Sequence, residues 1–295
     1  MWNLKKLDVE NIRQHLEIAF PEAPPDPVIT SADLDKVVTY YKLYEERCGR
    51  PCAELVGEDT SEALRQRVHD AYSLVQDGRR LGALRSAIKM LAEECPYCGY
   101  GPIEELDHLL QRGQYKLFSI FPLNLVPSCG TCNKGKRKKP STNPAEHQVH
   151  VYLEDVSAYE FLKVIAKIDP QTGGLQTTYK IEAPAGMPDS IRDRLENHIS
   201  EFDLQSRYKK QVNIFLGGME YMITSSFEMG GADALRHCLE GTATALKKRF
   251  GSNDWRTALL RGLAECEEFC AGGFRTALGL ELADVAANPV VEPAL

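Results

Sequence analysis

Apolar positions recur at helical spacing through most of the N-terminal third of the chain. After a loop over Pro21-Glu22-Ala23-Pro24-Pro25-Asp26-Pro27, Ser31 is placed to cap a helix carrying Leu34, Val37, Val38, Tyr41 and Tyr44. Gly49 and Pro51 stop it. A second run starts near Ser61 with Leu64, Val68, Ala71, Tyr72 and Val75, and continues past Gly78 with Leu81, Leu84, Ile88 and Leu91. The two faces are expected to pack on one another. From Cys95 to Pro140 the pattern changes to short apolar runs broken by Gly, Pro and Cys, and Pro140-Ser141-Thr142-Asn143-Pro144 reads as a linker. Residues 161–168 and 176–183 have strand-like content around a turn at 169–174, which predicts a hairpin. Helices follow over 188–250, with Ile191, Leu195, Ile199 and Phe202 on one face, and again from Asp254 to Phe269. The tail at 288–293 reads as frayed. The class is therefore α+β, in three regions: helical 1–92, a Cys-rich module at 93–140, and a hairpin-plus-helices region at 141–295.

With 43% hydrophobic and 26% charged residues over 295 positions, the composition is globular. No stretch approaches the roughly 20 apolar residues that span a bilayer. The first twenty positions carry Lys5, Lys6, Asp8, Glu10, Arg13 and Glu17 where a signal peptide would be apolar, so a cytoplasmic location away from membranes is expected. The formal charge of −7 is unevenly spread. Residues 1–92 hold 13 basic and 15 acidic side chains, 93–140 hold 7 and 5, and 141–295 hold 15 and 22. Only the Cys-rich module is net basic, so contact with nucleic acid would be local and salt-sensitive.

Four of the nine cysteines form two Cys-x-x-Cys pairs, Cys95-Pro96-Tyr97-Cys98 and Cys129-Gly130-Thr131-Cys132. Such paired spacing in a chain without an export signal favours metal over disulfides. Four thiolates satisfy a tetrahedral Zn²⁺ completely, which makes the ion structural. A module of about 45 residues buries too little surface to fold well without such a staple. Cys48, Cys52, Cys238, Cys266 and Cys270 have no spacing that builds a second site; Cys266 and Cys270 read as core thiols.

Between the knuckles lie Leu106-Asp107-His108 and Pro122-Leu123-Asn124-Leu125-Val126-Pro127, and Asn133 follows the last cysteine directly. The succession CPYC, LDHLL, FPLNLVPSCGTCNKGK resembles an HNH endonuclease of the ββα-metal type with a four-cysteine zinc site, over about residues 93–139. It is most similar to a subgroup common in bacterial anti-phage defence. The resemblance implies a central zinc-stapled ββα-metal module, DNA cleavage, and an Asn124 that fixes the loop orienting His108. Asn133 stands where the family name has its second histidine, which bears on metal preference.

The residues suit that chemistry. Phosphodiester hydrolysis needs a nucleophilic water, an acceptor for its proton and positive charge beside the leaving oxygen. His108 supplies the acceptor. Asp107 and Asn133 offer hard oxygen ligands for Mg²⁺ or Mn²⁺. Adjacent residues of a regular strand face opposite sides, so a strand end or bulge is expected at Asp107 and His108. Asn133 is expected to open a short helix with Lys136 and Arg137 on its face, and Lys134, Lys136, Arg137, Lys138 and Lys139 to contact the DNA backbone. His147 and His150 could support the site from behind, although ordinary hydrogen-bonding or surface roles are simpler, and His198 reads as a packing or cap residue. Tyr40, Tyr41 and Tyr44 read as helix core. The alternatives are a zinc-stapled nucleic-acid-binding module without catalysis, or an adaptor. The resemblance further implies action beside a separate ATPase or sensor subunit, since this chain shows no P-loop. A homodimer would ease two-strand cleavage, but no heptad pattern supports it.

Overall fold

The computed structural model describes residues 3–7, 12–21, 29–136 and 141–280. The loop at 22–27, Pro140 and the tail at 288–293 lie outside the described residues. The chain is mixed α+β, with two small antiparallel sheets of two strands each among many helices in the described residues. Its contacts divide it into two units: Met1–Ala158 with Gly186–Phe202, and Tyr159–Ala185 with Asp203–Leu295. This division differs from the three consecutive regions drawn from the sequence. No described helix is long and apolar enough to cross a membrane.

In the first unit, α1 (Ile12–Ala19) and α2 (Ser31–Glu46) precede α3 (Glu62–Asp70) and α4 (Gly82–Lys89). The cap of α2 is Thr30 and not Ser31: its side chain accepts from Asp33 N while the Asp33 carboxylate accepts from Thr30 N, a reciprocal pair that Ser31 lacks. Ser61 does cap α3. The run from Ser61 is not continuous; it tightens into a 3₁₀ turn at Ala71–Val75 and restarts as α4 beyond Gly78. Strands β1 (Glu105–His108) and β2 (Leu125–Ser128) pair antiparallel, with Asp107 opposite Val126 and His108 opposite Leu125. Helix α5 (Gly130–Gly135) follows β2 directly.

The spacer between β1 and β2 is rich in aromatic residues, and these join the N-terminal helices to the Cys-rich module. Tyr41 of α2 stacks on Phe121 at 4.1 Å, and Tyr44 meets Phe118 at 5.0 Å and Phe121 edge-on at 5.2 Å. Rings of this size bury their area only against a second surface, which α2 provides. The later helix α6 (Asp189–Glu201) also belongs here. Its buried Arg194 grips the largely covered Glu154 carboxylate at 2.6 and 2.9 Å. Burial works to raise the Glu154 pKa, but Arg194 and Arg50 together hold it down to about 2.

The second unit is built on the expected hairpin, β3 (Leu162–Ile168) with β4 (Leu175–Ile181), in register from Leu162 opposite Ile181 to Ile168 opposite Leu175. Asp169 closes the turn by accepting from the backbone N–H groups of Gln171 and Thr172. Helices α7 (Leu204–Gly217), α8 (Glu220–Phe250, kinked at Gly230 and Gly231), α9 (Trp255–Ala264) and α10 (Phe274–Ala277) complete it. α9 approaches β3 so closely that a Cβ at Gly262 would lie 2.4 Å from the Val164 carbonyl oxygen, and only glycine fits.

Candidate functional site

Four buried sulfurs meet beside the β1–β2 hairpin. The Sγ atoms of Cys95, Cys98, Cys129 and Cys132 all lie within 4.8 Å of one another, as the paired spacing predicts for a zinc site. Local backbone makes this possible. Gly99 adopts φ 72°, turning the first knuckle, and the Gly101 N–H points to Cys98 Sγ at 3.4 Å. A Cβ on Gly101 would sit 2.8 Å from Cys129 Sγ, so a side chain there would push the cluster apart. Cys129 caps α5, its sulfur accepting from Cys132 N. The Cys98–Cys129 separation of 3.9 Å is close to the roughly 3.8 Å edge of a tetrahedron with Zn–S bonds of about 2.3 Å. Without a cation the four thiols compete for charge. Hydrogen bonds from Cys132, Cys95 and Cys98 pull the Cys129 thiol far down, whereas Cys132 and Cys95 are pushed up, first by Cys129. A dication lets all four ionise together, so the donor set fits structural Zn²⁺. None of the nine cysteines is in a disulfide, and the other five form no metal cluster among the described residues.

The hairpin carries Asp107 and His108 to one cleft of about 520 Å³, lined also by Tyr72, Leu106, Gln111, Arg112, Asn133, Lys134 and Lys136. His108 is the last residue of β1, the strand end at which two neighbouring side chains can serve one cavity. Asp107 is buried, and its Oδ2 accepts from the Tyr97 hydroxyl at 2.7 Å and from Lys136 Nζ at 2.5 Å. The same ammonium donates to the His108 carbonyl at 2.6 Å. The His108 ring lies edge-on to Tyr72 at 4.4 Å, and its Nε2 is 2.9 Å from the Ser119 carbonyl. A carbonyl only accepts, so Nε2 bears the hydrogen and the neutral ring keeps its lone pair on Nδ1. Burial pushes the His108 pKa down to about 3, only partly opposed by the Ser119 bond, so the ring is neutral at pH 7.

Asn124 is fully buried and ties the loop after β1 to the spacer. Its Oδ1 accepts from Leu110 N at 2.7 Å and Tyr44 Oη at 3.1 Å; its Nδ2 donates to Leu110 O and Phe118 O, each at 3.1 Å. Behind it runs a chain with one consistent direction. Tyr152 N donates to His150 Nδ1, which leaves His150 Nε2–H to donate to Tyr44 Oη, whose proton goes to Asn124. His150 thus supports the site through Tyr44, while His147 donates to Ser141 O. Tyr44 is helix core, as read, and also carries this polar link.

Two placements differ from the sequence reading. Asn133 does not open α5 but lies in its second half, because Cys129 takes the capping position; its Nδ2 donates to Glu105 Oε2. Lys136 does not extend the helical face. The backbone leaves the helix there at ψ 141°, and the ammonium turns into the cleft, buried against Asp107. Lys134 lines the cleft; Arg137, Lys138 and Lys139 lie outside the described residues.

The chain is 26% identical over 198 residues to Protein ea31 of Escherichia phage lambda, a match covering 61% of this chain and 64% of that protein. It thus spans less than two thirds of that relative's length. No family model and no solved structure matches the chain. The relative's name states no chemistry, so a functional reading rests on the site itself.

Several residues at the site carried no signal as individual positions. Tyr97 lies inside the first knuckle, and only its hydroxyl contact with Asp107 gives it a role. Its carbonyl accepts from His198 Nε2 at 2.7 Å and its ring stacks on Phe202 at 4.9 Å, so α6 braces the knuckle. Tyr72 and Arg112, whose guanidinium lies 5.0 Å from the Tyr72 ring centre, come from segments forty residues apart in sequence. Glu105 lies two positions before Asp107, and only its contact with Asn133 gives it a place at the site.

Proposed function

We propose that the protein is a metal-dependent endonuclease of the HNH type that hydrolyses DNA phosphodiester bonds. The observation that carries this reading is the convergence of Asp107, His108 and Asn133 on one cleft next to a four-cysteine site, with His108 neutral and in the tautomer that leaves Nδ1 unprotonated. His108 Nδ1 takes the proton of the attacking water. The Ser119 carbonyl holds the ring in place, and the imidazolium formed keeps its Nε2–H bond. Asn124 fixes the loop between them. Arg112 and Lys134 supply positive charge for the phosphate at the cleft wall.

Asp107 and Asn133 would hold Mg²⁺ or Mn²⁺, and the fit is supported by the ammonium that already sits between the Asp107 carboxylate and the His108 carbonyl, a cation on hard oxygens. When bound, the ion supplies positive charge beside the departing 3′ oxygen. The structural Zn²⁺ would hold β1, β2 and α5 in place without touching substrate.

By resemblance the role is in bacterial anti-phage defence, with a separate ATPase or sensor as partner. The likeness to a phage protein is compatible with that setting. A second reading is a zinc-stapled nucleic-acid-binding module without catalysis; the Lys136–Asp107 pair favours it, since it neutralises the carboxylate. Plasmid cleavage with Mg²⁺ or Mn²⁺ separates the two. The nuclease reading expects metal-dependent nicking that His108→Ala slows by about 10²- to 10⁴-fold. Retained DNA binding with no hydrolysis in any variant would support the second.

A further inference from the structure

The contacts of Lys136 go beyond what a DNA-binding lysine requires. Its side chain is 8% exposed, and its Nζ bonds Asp107 Oδ2 at 2.5 Å and the His108 carbonyl at 2.6 Å. A lysine serving only the phosphate backbone would keep its ammonium in water, where hydration is strong. The chain instead breaks α5 after Gly135 and changes direction at Lys136, which brings the ammonium inward. Two hard oxygens then hold it, on the carboxylate assigned above to the divalent ion.

We infer that Lys136 is a built-in rival of the divalent cation: its ammonium occupies the Asp107 seat and must leave before the metal binds. This rests on the reading of Asp107 as a metal ligand. A monovalent and a divalent cation sharing one carboxylate repel strongly where water is scarce, so they exclude each other. The exchange has somewhere to go. Lys136 also lines a smaller cavity, about 40 Å³, bordered by Glu146, His147, Gln148 and Glu201. An ammonium moved off Asp107 meets carboxylates on that side or a substrate phosphate on the other. The device keeps metal affinity low until substrate charge is present. Asp107 stays paired meanwhile, because an unpaired buried carboxylate is destabilising.

The test is direct metal binding by the intact zinc-loaded protein, free of DNA, with Mn²⁺ as probe, followed by electron paramagnetic resonance or calorimetry. Asp107→Asn identifies the site by abolishing the binding. Lys136→Gln, which keeps donors for Asp107 and the His108 carbonyl but no charge, is expected to tighten Mn²⁺ by about tenfold or more. Lys136→Met removes the donors as well and is expected to tighten at least as much, with zinc content and thermal melting reporting whether it folds. Binding in Lys136→Gln equal to or weaker than wild type overturns the inference while leaving the metal site standing. Absence of any Asp107-dependent Mn²⁺ binding, in wild type and Lys136→Gln alike, overturns the metal-ligand reading and the rivalry with it.

Discussion

The two units bury different kinds of side chain. In the first, Asp107, Asn124, His150, Arg194 and His198 are buried with specific partners, and the cysteine cluster is buried with them. In the second, the core is Leu235, Leu239, Leu259, Leu260, Leu263, Trp255, Phe269 and Phe274 around the hairpin, and Asp254 is the one buried ionisable carboxylate or base among its described residues. Its buried Asn253 ties backbone segments together, accepting from Phe161 N and Leu162 N and donating to Tyr159 O. Apolar packing is non-directional and tolerates small errors, whereas a buried polar group is stable in one arrangement only. The first unit is thus specified by a few directional contacts, and the candidate site lies there.

Removing the metal should separate the units most sharply. Stripping zinc with a strong chelator, or Cys129→Ser, is expected to remove on the order of 10 kcal/mol from the first unit. Hydrogen exchange should then show amide protection lost in β1, β2 and α5 but kept in β3 and α9. Equal protection before and after chelation would contradict a structural zinc. Asn124→Ala comes next. It leaves the buried Leu110 N and Leu110 O short of partners and takes one bond each from Phe118 O and the Tyr44 hydroxyl, so denaturant melts should show a loss of about 3 kcal/mol or more. A loss below about 1 kcal/mol would mean that the loop does not depend on it.

Mild acid, down to about pH 5, should have the smallest effect of the three, about 2 kcal/mol. Burial lowers the His150 pKa to about 3, below the roughly 6.5 of an unfolded histidine. The unfolded chain therefore binds the extra proton first. The stability His150 contributes is complete above about pH 6.5 and declines as pH falls towards 3, by up to about 1.4 kcal/mol per pH unit. Protonation at Nδ1 would also break the bond from Tyr152 N that sets the direction of the chain to Asn124. Nuclear magnetic resonance should find the ring neutral at pH 5; a midpoint near 6.5 would refute the buried, directed chain.

Where local pattern decides the structure, the sequence was readable. The Leu34, Val37, Tyr41 and Tyr44 spacing marks α2, the strand-like content on either side of the turn at 169–174 marks the β3–β4 hairpin, and the paired cysteines mark the cluster. Contacts distant in sequence were not readable. Residues 186–202 return to the first unit through Arg194 with Glu154 and His198 with Tyr97, polar pairings without periodicity. Lys136 looked like one more cation in a basic run, because the break after Gly135 that turns it inward is a backbone event. Thr30 and Ser31 are equally good capping types, and Asp33 decides between them by pairing with Thr30.

The central claim is that His108, at the end of β1, serves as proton acceptor in a metal-dependent cleavage centre. Its most direct test is the plasmid nicking rate against Mg²⁺ concentration for wild type and His108→Ala, on samples shown to carry equal zinc. The account predicts nicking that requires Mg²⁺ and falls by about 10²- to 10⁴-fold in the variant. Equal rates in the two proteins would contradict it.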